Sequence, residues 1–283
     1  MAKEFLVCID SDGCAFDTME LKHKECFCPA YIQFFGLQPV SKYAREAWDF
    51  ANLYSAYRGV NRFPVLLKAL SVLRDRREVL ERGFQTPEMP SLRRYVESGR
   101  PLNNAGVEQY LSEHPQDREM ENVLAWSLDV NRRIAETVHG VPPFPYVAQH
   151  LKTLSQYCDI VIVSATETKA LQREWQAGGL FPLVTETCGQ EAGSKKEIIA
   201  ARKDQYSAGH VLMIGDAPGD RDAAQANGVL FYPICPDQEA KSWAQFGAVA
   251  QAFLSGVYAG AQEAEKIAYF NTLLPETPAW ERG

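Results

Sequence analysis

Hydrophobic positions follow two different patterns along the chain. Residues 5–9, Phe-Leu-Val-Cys-Ile, form an unbroken apolar run ending in polar residues, the mark of a short strand buried on both faces. From about residue 20 to 140 the apolar positions recur instead every three or four residues, which predicts helices only. One helix is expected over 21–35. A second should carry Tyr43, Ala47, Phe50, Tyr54 and Tyr57 on one face. A third is expected over 64–83, with Pro64 in its first turn, a short one over 91–98, and a long one from Asp117 to Gly140. Val141-Pro-Pro-Phe-Pro145 breaks the pattern and reads as a rigid linker. Beyond it, short apolar runs (159–164, 183–187, 211–215, 229–232) alternate with amphipathic stretches (146–157, 169–176, 194–202, 220–226). Two amphipathic helices, 238–255 and 257–274, finish the pattern. Alternation at these lengths specifies an α/β fold, a doubly wound parallel sheet with helices on both faces. The first strand is expected to join that sheet. The domains are then an α/β core of residues 1–19 and 143–283 and a helical insert of residues 20–142.

Composition narrows the class. The chain has 283 residues, 46% hydrophobic and 23% charged, with a net charge of −7. That balance suits a globular protein and argues against a nucleic-acid-binding surface. No apolar stretch is long enough to span a bilayer and no signal peptide is read at the start, so no membrane partner is expected. Seven cysteines make an odd number, and Cys26-Phe-Cys28 has the spacing of neither a zinc knuckle nor a redox pair. A reduced, cytoplasmic setting is expected.

The candidate chemistry sits where strands end. Asp10-Ser-Asp12-Gly follows the first strand, and residues i and i+2 of an extended chain leave the same side. Two carboxylates aimed at one point repel unless a cation or a reaction uses them. Gly215-Asp216-Ala-Pro-Gly-Asp220 ends a later strand with two more acids. Residues just past the carboxyl ends of parallel strands share one crevice. Asp10, Asp216 and Asp220 are therefore expected together, an oxygen-only set suited to a hard cation such as Mg²⁺. Helix capping is the plainer reading of Asp220 alone. Ser164, with Ala165, lies at another strand end, where a hydroxyl and backbone N–H groups can hold a phosphate; a simple N-cap is the alternative. Lys195 or Lys196 stands at a helix start, where a positive charge opposes the dipole and needs another reason.

In order and in kind, these elements resemble the haloacid dehalogenase superfamily of phosphoryl-transfer enzymes. Its first motif, Asp-x-Asp-Gly-x-x-x-Asp-Thr, is matched from Asp10 to Thr18; its serine, lysine and Gly-Asp-x-x-x-Asp motifs are matched by Ser164, by Lys195 or Lys196, and by Gly215, Asp216 and Asp220. The resemblance implies a Rossmann-like core with a C1-type helical cap after the first strand. It further implies Asp10 as nucleophile forming an aspartyl-phosphate and Asp12 as general acid and base. Phosphate would be held by Ser164, Ala165 and the lysine, and Mg²⁺ by Asp10, the Asp12 carbonyl, Asp216 and Asp220. Lys195 is preferred to Lys196 because it leaves Ile198 and Ile199 at apolar core positions. Arg58-Gly-Val-Asn61-Arg62 resembles a cap segment of β-phosphoglucomutase-like members, so Arg62, with Asn61 and Arg58, is expected to face a substrate; an ordinary interhelical loop is the alternative. The cap is longer than in minimal mutases, and His23 stands one residue from the position at which mutases place a histidine. The expected function is a phosphatase for a small phosphorylated metabolite, with a sugar phosphomutase or a non-catalytic binding protein as alternatives. The oligomeric state is not legible.

Overall fold

A computed structural model describes residues 3–281. Five strands form one sheet: β1 (Phe5–Ile9), β2 (Cys158–Val163), β3 (Glu186–Cys188), β4 (Val211–Gly215) and β5 (Leu230–Pro233). Their spatial order is β3-β2-β1-β4-β5, and every pairing is parallel. The short apolar runs thus became a doubly wound α/β sheet, and the alternation of side chains sorts its two faces. Val7, Ile9, Ile160, Ile162, Leu212 and Ile214 pack on one side, under the helices Val147–Leu154, Thr168–Ala177 and Glu239–Leu254. Leu6, Cys8, Val161, Val163 and Met213 pack on the other, under Lys195–Lys203, Pro218–Asn227 and Ala261–Leu273. Such two-sided burial needs uniformly apolar strands, which explains the unbroken runs. All seven cysteines are free and buried, the setting of small apolar residues.

Chain order reverses between β1 and β4, the place where a doubly wound sheet opens a crevice. Ile9 faces Ile162 on one side and Ile214 on the other, and the Asp10 amide donates to the Ile214 carbonyl at 3.0 Å. This register sets residues 10, 164 and 216 at one rim. The expected linker at 141–145 has a structural task. Phe16 bridges to Pro143, and the Phe144 amide donates to the Ala15 carbonyl at 2.9 Å, so the segment pairs with the turn that follows Asp12.

The chain divides into two compact units, Met1–Met19 with Gly140–Leu274 and Glu20–His139 with Pro275–Gly283. The expected core range of 143–283 therefore needs correction at its end. The described residues after Leu274 belong with the helices: the Ala56 amide donates to the Pro275 carbonyl at 3.1 Å, and Trp280 packs edge-on against Phe50.

Within the helical unit, Trp48 and Trp126 lie at the centre of an aromatic core with Phe27, Tyr31 and Phe35. The helical run Met19–Phe34 contains a π-helical turn at Lys22–Phe27, in which the Cys28 amide reaches back five residues to the His23 carbonyl. The widened turn lies directly before Pro29, whose ring would clash with the i−4 carbonyl of a regular helix. The aromatic stripe expected through Tyr57 stops early, since the helix Ser41–Asn52 ends before Tyr54. The Arg58 guanidinium takes the Leu53 carbonyl at 2.9 Å and satisfies an acceptor that the helix end leaves open. The helix expected over 64–83 is broken into Arg62–Arg74 and Arg77–Leu80, because Arg76 turns extended to place its guanidinium between the Tyr43 and Trp280 rings. A helix at Asn104–Glu113 was not expected. Its Gly106 weakens the helical signal, yet a Cβ there would stand 2.3 Å from the Pro101 carbonyl oxygen. Among the described residues no helix is long and apolar enough to cross a membrane.

Candidate active site

At the carboxyl rim of β1 and β4 the side chains converge. Lys195 Nζ donates to Asp10 Oδ2 at 2.6 Å and to Asp220 Oδ1 at 2.5 Å. The Ser11 amide donates to Asp10 Oδ1 at 2.8 Å, so both oxygens of Asp10 are engaged. Asp220 Oδ2 accepts the Ala217 amide at 3.0 Å, which makes Asp220 both a helix-start cap and a site carboxylate. Carboxylate oxygens of Asp10, Asp216 and Asp220 lie within 4.8 Å of one another, and all three residues are buried. Lys195 reaches this cluster and Lys196 is exposed.

Burial pushes the Asp10 carboxyl up to about 6; Lys195 pulls it down and Asp220 adds to the rise. Burial also works against the charge on Lys195, but Asp10 and Asp220 outweigh it and hold the ammonium firmly protonated.

Asp12 sits in different surroundings. Its Oδ1 accepts the Thr18 hydroxyl at 2.5 Å and its Oδ2 the Thr166 hydroxyl at 3.0 Å. Ser164 is buried at the end of β2, its amide donating to the Cys188 carbonyl and its Oγ accepting the Thr166 amide at 3.3 Å. Ala165 is exposed beside it. Thr166 was not singled out in the sequence; its signal is its place two residues beyond Ser164 in the same turn.

Ser11 points the other way, as alternation requires. Buried between the two acids, its hydroxyl donates to Glu174 Oε2 at 2.7 Å and accepts Trp175 Nε1 at 2.9 Å. A buried hydroxyl at the strand end is thus matched by partners on the helix beneath.

No family model matches the sequence, and no curated protein matches it. Among solved structures, a Bacteroides fragilis protein described as a haloacid dehalogenase-like hydrolase is similar with a TM-score of 0.50 at 13% identity, over 85% of this chain and 93% of that one. The chain has the haloacid dehalogenase-like fold. Two other similar structures are a haloacid dehalogenase-like family hydrolase from Streptococcus pneumoniae (15% identity, 88% of this chain and 98% of that one, TM-score 0.46) and a Bacillus subtilis HAD-hydrolase solved bound to magnesium (16%, 81% and 86%, TM-score 0.43). At these identities the likeness carries the fold, and the chemistry rests on the residues.

Within the haloacid dehalogenase-like fold, the cluster can accommodate a cation. The three buried carboxylates offer donors that are oxygens only, the set that hard divalent ions select. Gly215 is required by the same cluster. A Cβ on residue 215 would lie 2.3 Å from Asp220 Cγ. Gly215→Ala should therefore push Asp220 out of place and cost about 3 kcal/mol of stability, read as a lowered urea midpoint with an unchanged slope.

The helical-unit residues separate in their surroundings. Asn61 uses its amide at both ends, accepting the Phe63 amide at 3.0 Å as the cap of its helix and donating to the Leu102 carbonyl at 2.8 Å. Arg58 is buried, and its guanidinium donates to the Leu53 carbonyl. Arg62 stands over the Phe27 ring, and its Nη1 donates to the Ser127 carbonyl, Ser127 Oγ and Asn131 Oδ1. None of these partners is a carboxylate. Burial pushes its guanidinium down to about 10.

Proposed function

We propose that this protein is a Mg²⁺-dependent phosphatase that hydrolyses a small phosphorylated metabolite through an aspartyl-phosphate on Asp10. One observation carries the reading: two aspartates leave one strand end to separate partners, Asp10 to the Lys195 ammonium and Asp12 to the Thr18 and Thr166 hydroxyls. Carboxylates set apart in this way can divide nucleophilic and proton-transfer roles.

The Asp10 carboxylate attacks phosphorus as the bond to the leaving oxygen breaks, and Asp12 gives that oxygen a proton. In the second half, Asp12 takes a proton from water as the water oxygen attacks phosphorus, releasing phosphate and restoring Asp10. Thr18 and Thr166 suit both halves, since each hydroxyl can donate to an ionised Asp12 or turn and accept from a protonated one. Lys195 and Ser164 steady the oxygens of the moving phosphoryl group, with the Ala165 amide beside them. Asp10, Asp216, Asp220 and the Asp12 carbonyl would hold Mg²⁺, which when bound offsets the repulsion between nucleophile and phosphate.

In the helical unit we assign Arg62 to the substrate, because its charge has only neutral partners. The same residue favours, as a second reading, a mutase acting on a substrate with a further anionic group. Labelled phosphate ending on water supports the phosphatase, and on another hydroxyl the mutase.

The test is hydrolysis of an aryl phosphate with Mg²⁺ and after chelation. Turnover should require the cation. Because protons and cation compete for Asp10, cation affinity should rise with pH up to about 6 and level off above. In the cation-free protein the sign for stability is opposite. The folded state holds the Asp10 proton more tightly than the unfolded chain, so stability falls as pH rises from about 4 to about 6. Turnover that is indifferent to chelation would refute the assignment.

A further inference from the structure

The chain passes from one compact unit to the other three times, after Met19, after His139 and after Leu274. An inserted domain needs only the first two passages. The third is made by a segment that has a socket built for it. Leu274 is buried against the sheet with Phe270 and closes the last helix of that unit. Residues 275–281 then lie on the helical unit. Pro278 is buried. Trp280 packs against Phe50 at 6.0 Å between ring centroids and covers the Arg76 guanidinium at 4.4 Å. Arg76 is itself buried, with the Tyr43 ring at 4.6 Å, Glu46 at 2.5 Å and Glu78 at 3.1 Å. A buried guanidinium met by two aromatic rings and two carboxylates is a fixed anchor, since the rings attract the cation and the carboxylates hold its orientation.

What the anchored segment touches next gives it meaning. The Pro275 carbonyl accepts the Ala56 amide at 3.1 Å, in the loop at 53–61. That loop joins the helices Ser41–Asn52 and Arg62–Arg74 and carries Arg58 and Asn61 up to Arg62. Within it the Arg58 side chain meets the Leu53 carbonyl, turns close at Ser55 and Tyr57, and Asn61 reaches the Leu102 carbonyl.

We propose that residues 275–281 are a strap that positions the 53–61 loop. The strap makes the loop's conformation depend on an anchor outside it, so anything that lifts Trp280 from Arg76 loosens the approach to Arg62. Trp280 and Arg76 are positioning residues in this account.

The test is backbone amide exchange in the full chain, followed by mass spectrometry, which reads the strap without reference to turnover. Failure of the phosphatase reading would leave its outcome unchanged. In Trp280→Ala, exchange across 53–61 should accelerate about tenfold or more, with the β1 and β4 amides unchanged. Arg76→Leu should reproduce the pattern from the other side of the socket, and Trp280→Phe should restore most of the protection. Unchanged protection at 53–61 in Trp280→Ala would overturn the proposal. So would an equal acceleration in the loop and in β1 and β4, which would make Trp280 a general support of the fold.

Discussion

Asp10→Asn is expected to lose about 10⁴-fold or more in phosphate-ester turnover while keeping its fold. The substitution preserves size and one acceptor, so the Ser11 amide keeps a partner at the position it now meets Oδ1. It removes the negative charge needed to attack phosphorus. It also removes a buried carboxylate whose ionisation burial and Asp220 oppose. The urea midpoint of cation-free Asp10→Asn should therefore equal or exceed that of the unaltered protein at neutral pH. Loss of activity together with retained stability separates a functional aspartate from a structural one. An inactive variant that has also unfolded would leave Asp10 as a packing residue.

Lys195→Ala is the second large effect, and here activity and stability fall together. Lys195 is the cation bonded to both Asp10 and Asp220, and without it three carboxylates remain within 4.8 Å of one another. Removing one partner from a buried charge cluster typically costs about 3–5 kcal/mol, so chelator-treated Lys195→Ala should unfold at markedly lower urea than the unaltered protein. Turnover should fall by about 10³-fold if, as proposed, the same ammonium steadies the moving phosphoryl oxygens. Added Mg²⁺ should recover part of the stability and little of the turnover. Titrating both variants with Mg²⁺ while following denaturation and initial rates checks this. Full recovery of rate by the cation alone would reduce Lys195 to a counter-charge.

The site was legible in the sequence where chemistry and topology coincide. β1 and β4 announce themselves by unbroken apolar runs, and a parallel sheet brings their ends together, so Asp10, Asp216 and Asp220 could be collected before any geometry was known, while Lys195 joined them only through the family resemblance. The preference for Lys195 over Lys196 follows from helix phase, because Ile198 and Ile199 are buried. Thr166 was harder to see, since a hydroxyl at a strand end reads equally as a cap; only the 3.0 Å bond to Asp12 distinguishes it. The setting of Ser11 was not legible, because its partners, Glu174 and Trp175, lie more than 160 positions away in the chain.

The helical unit was read less well, for a consistent reason. Its helices end where long-range side chains require it, and periodicity is local. Arg76 breaks a helix to enter its aromatic socket, and Gly106 opens a close approach inside another. The return of residues 275–281 to this unit depends on one tryptophan and one carbonyl, which no periodic pattern marks.

The central claim is a covalent phosphoryl group on Asp10. It is tested most directly by quenching the protein in acid during turnover of a phosphate ester with Mg²⁺, then mapping the modified peptide after borohydride reduction. The account predicts reduction at residue 10 alone, absent in Asp10→Asn and absent without substrate. Steady turnover with no modification of Asp10, or with the modification at another aspartate, would contradict it.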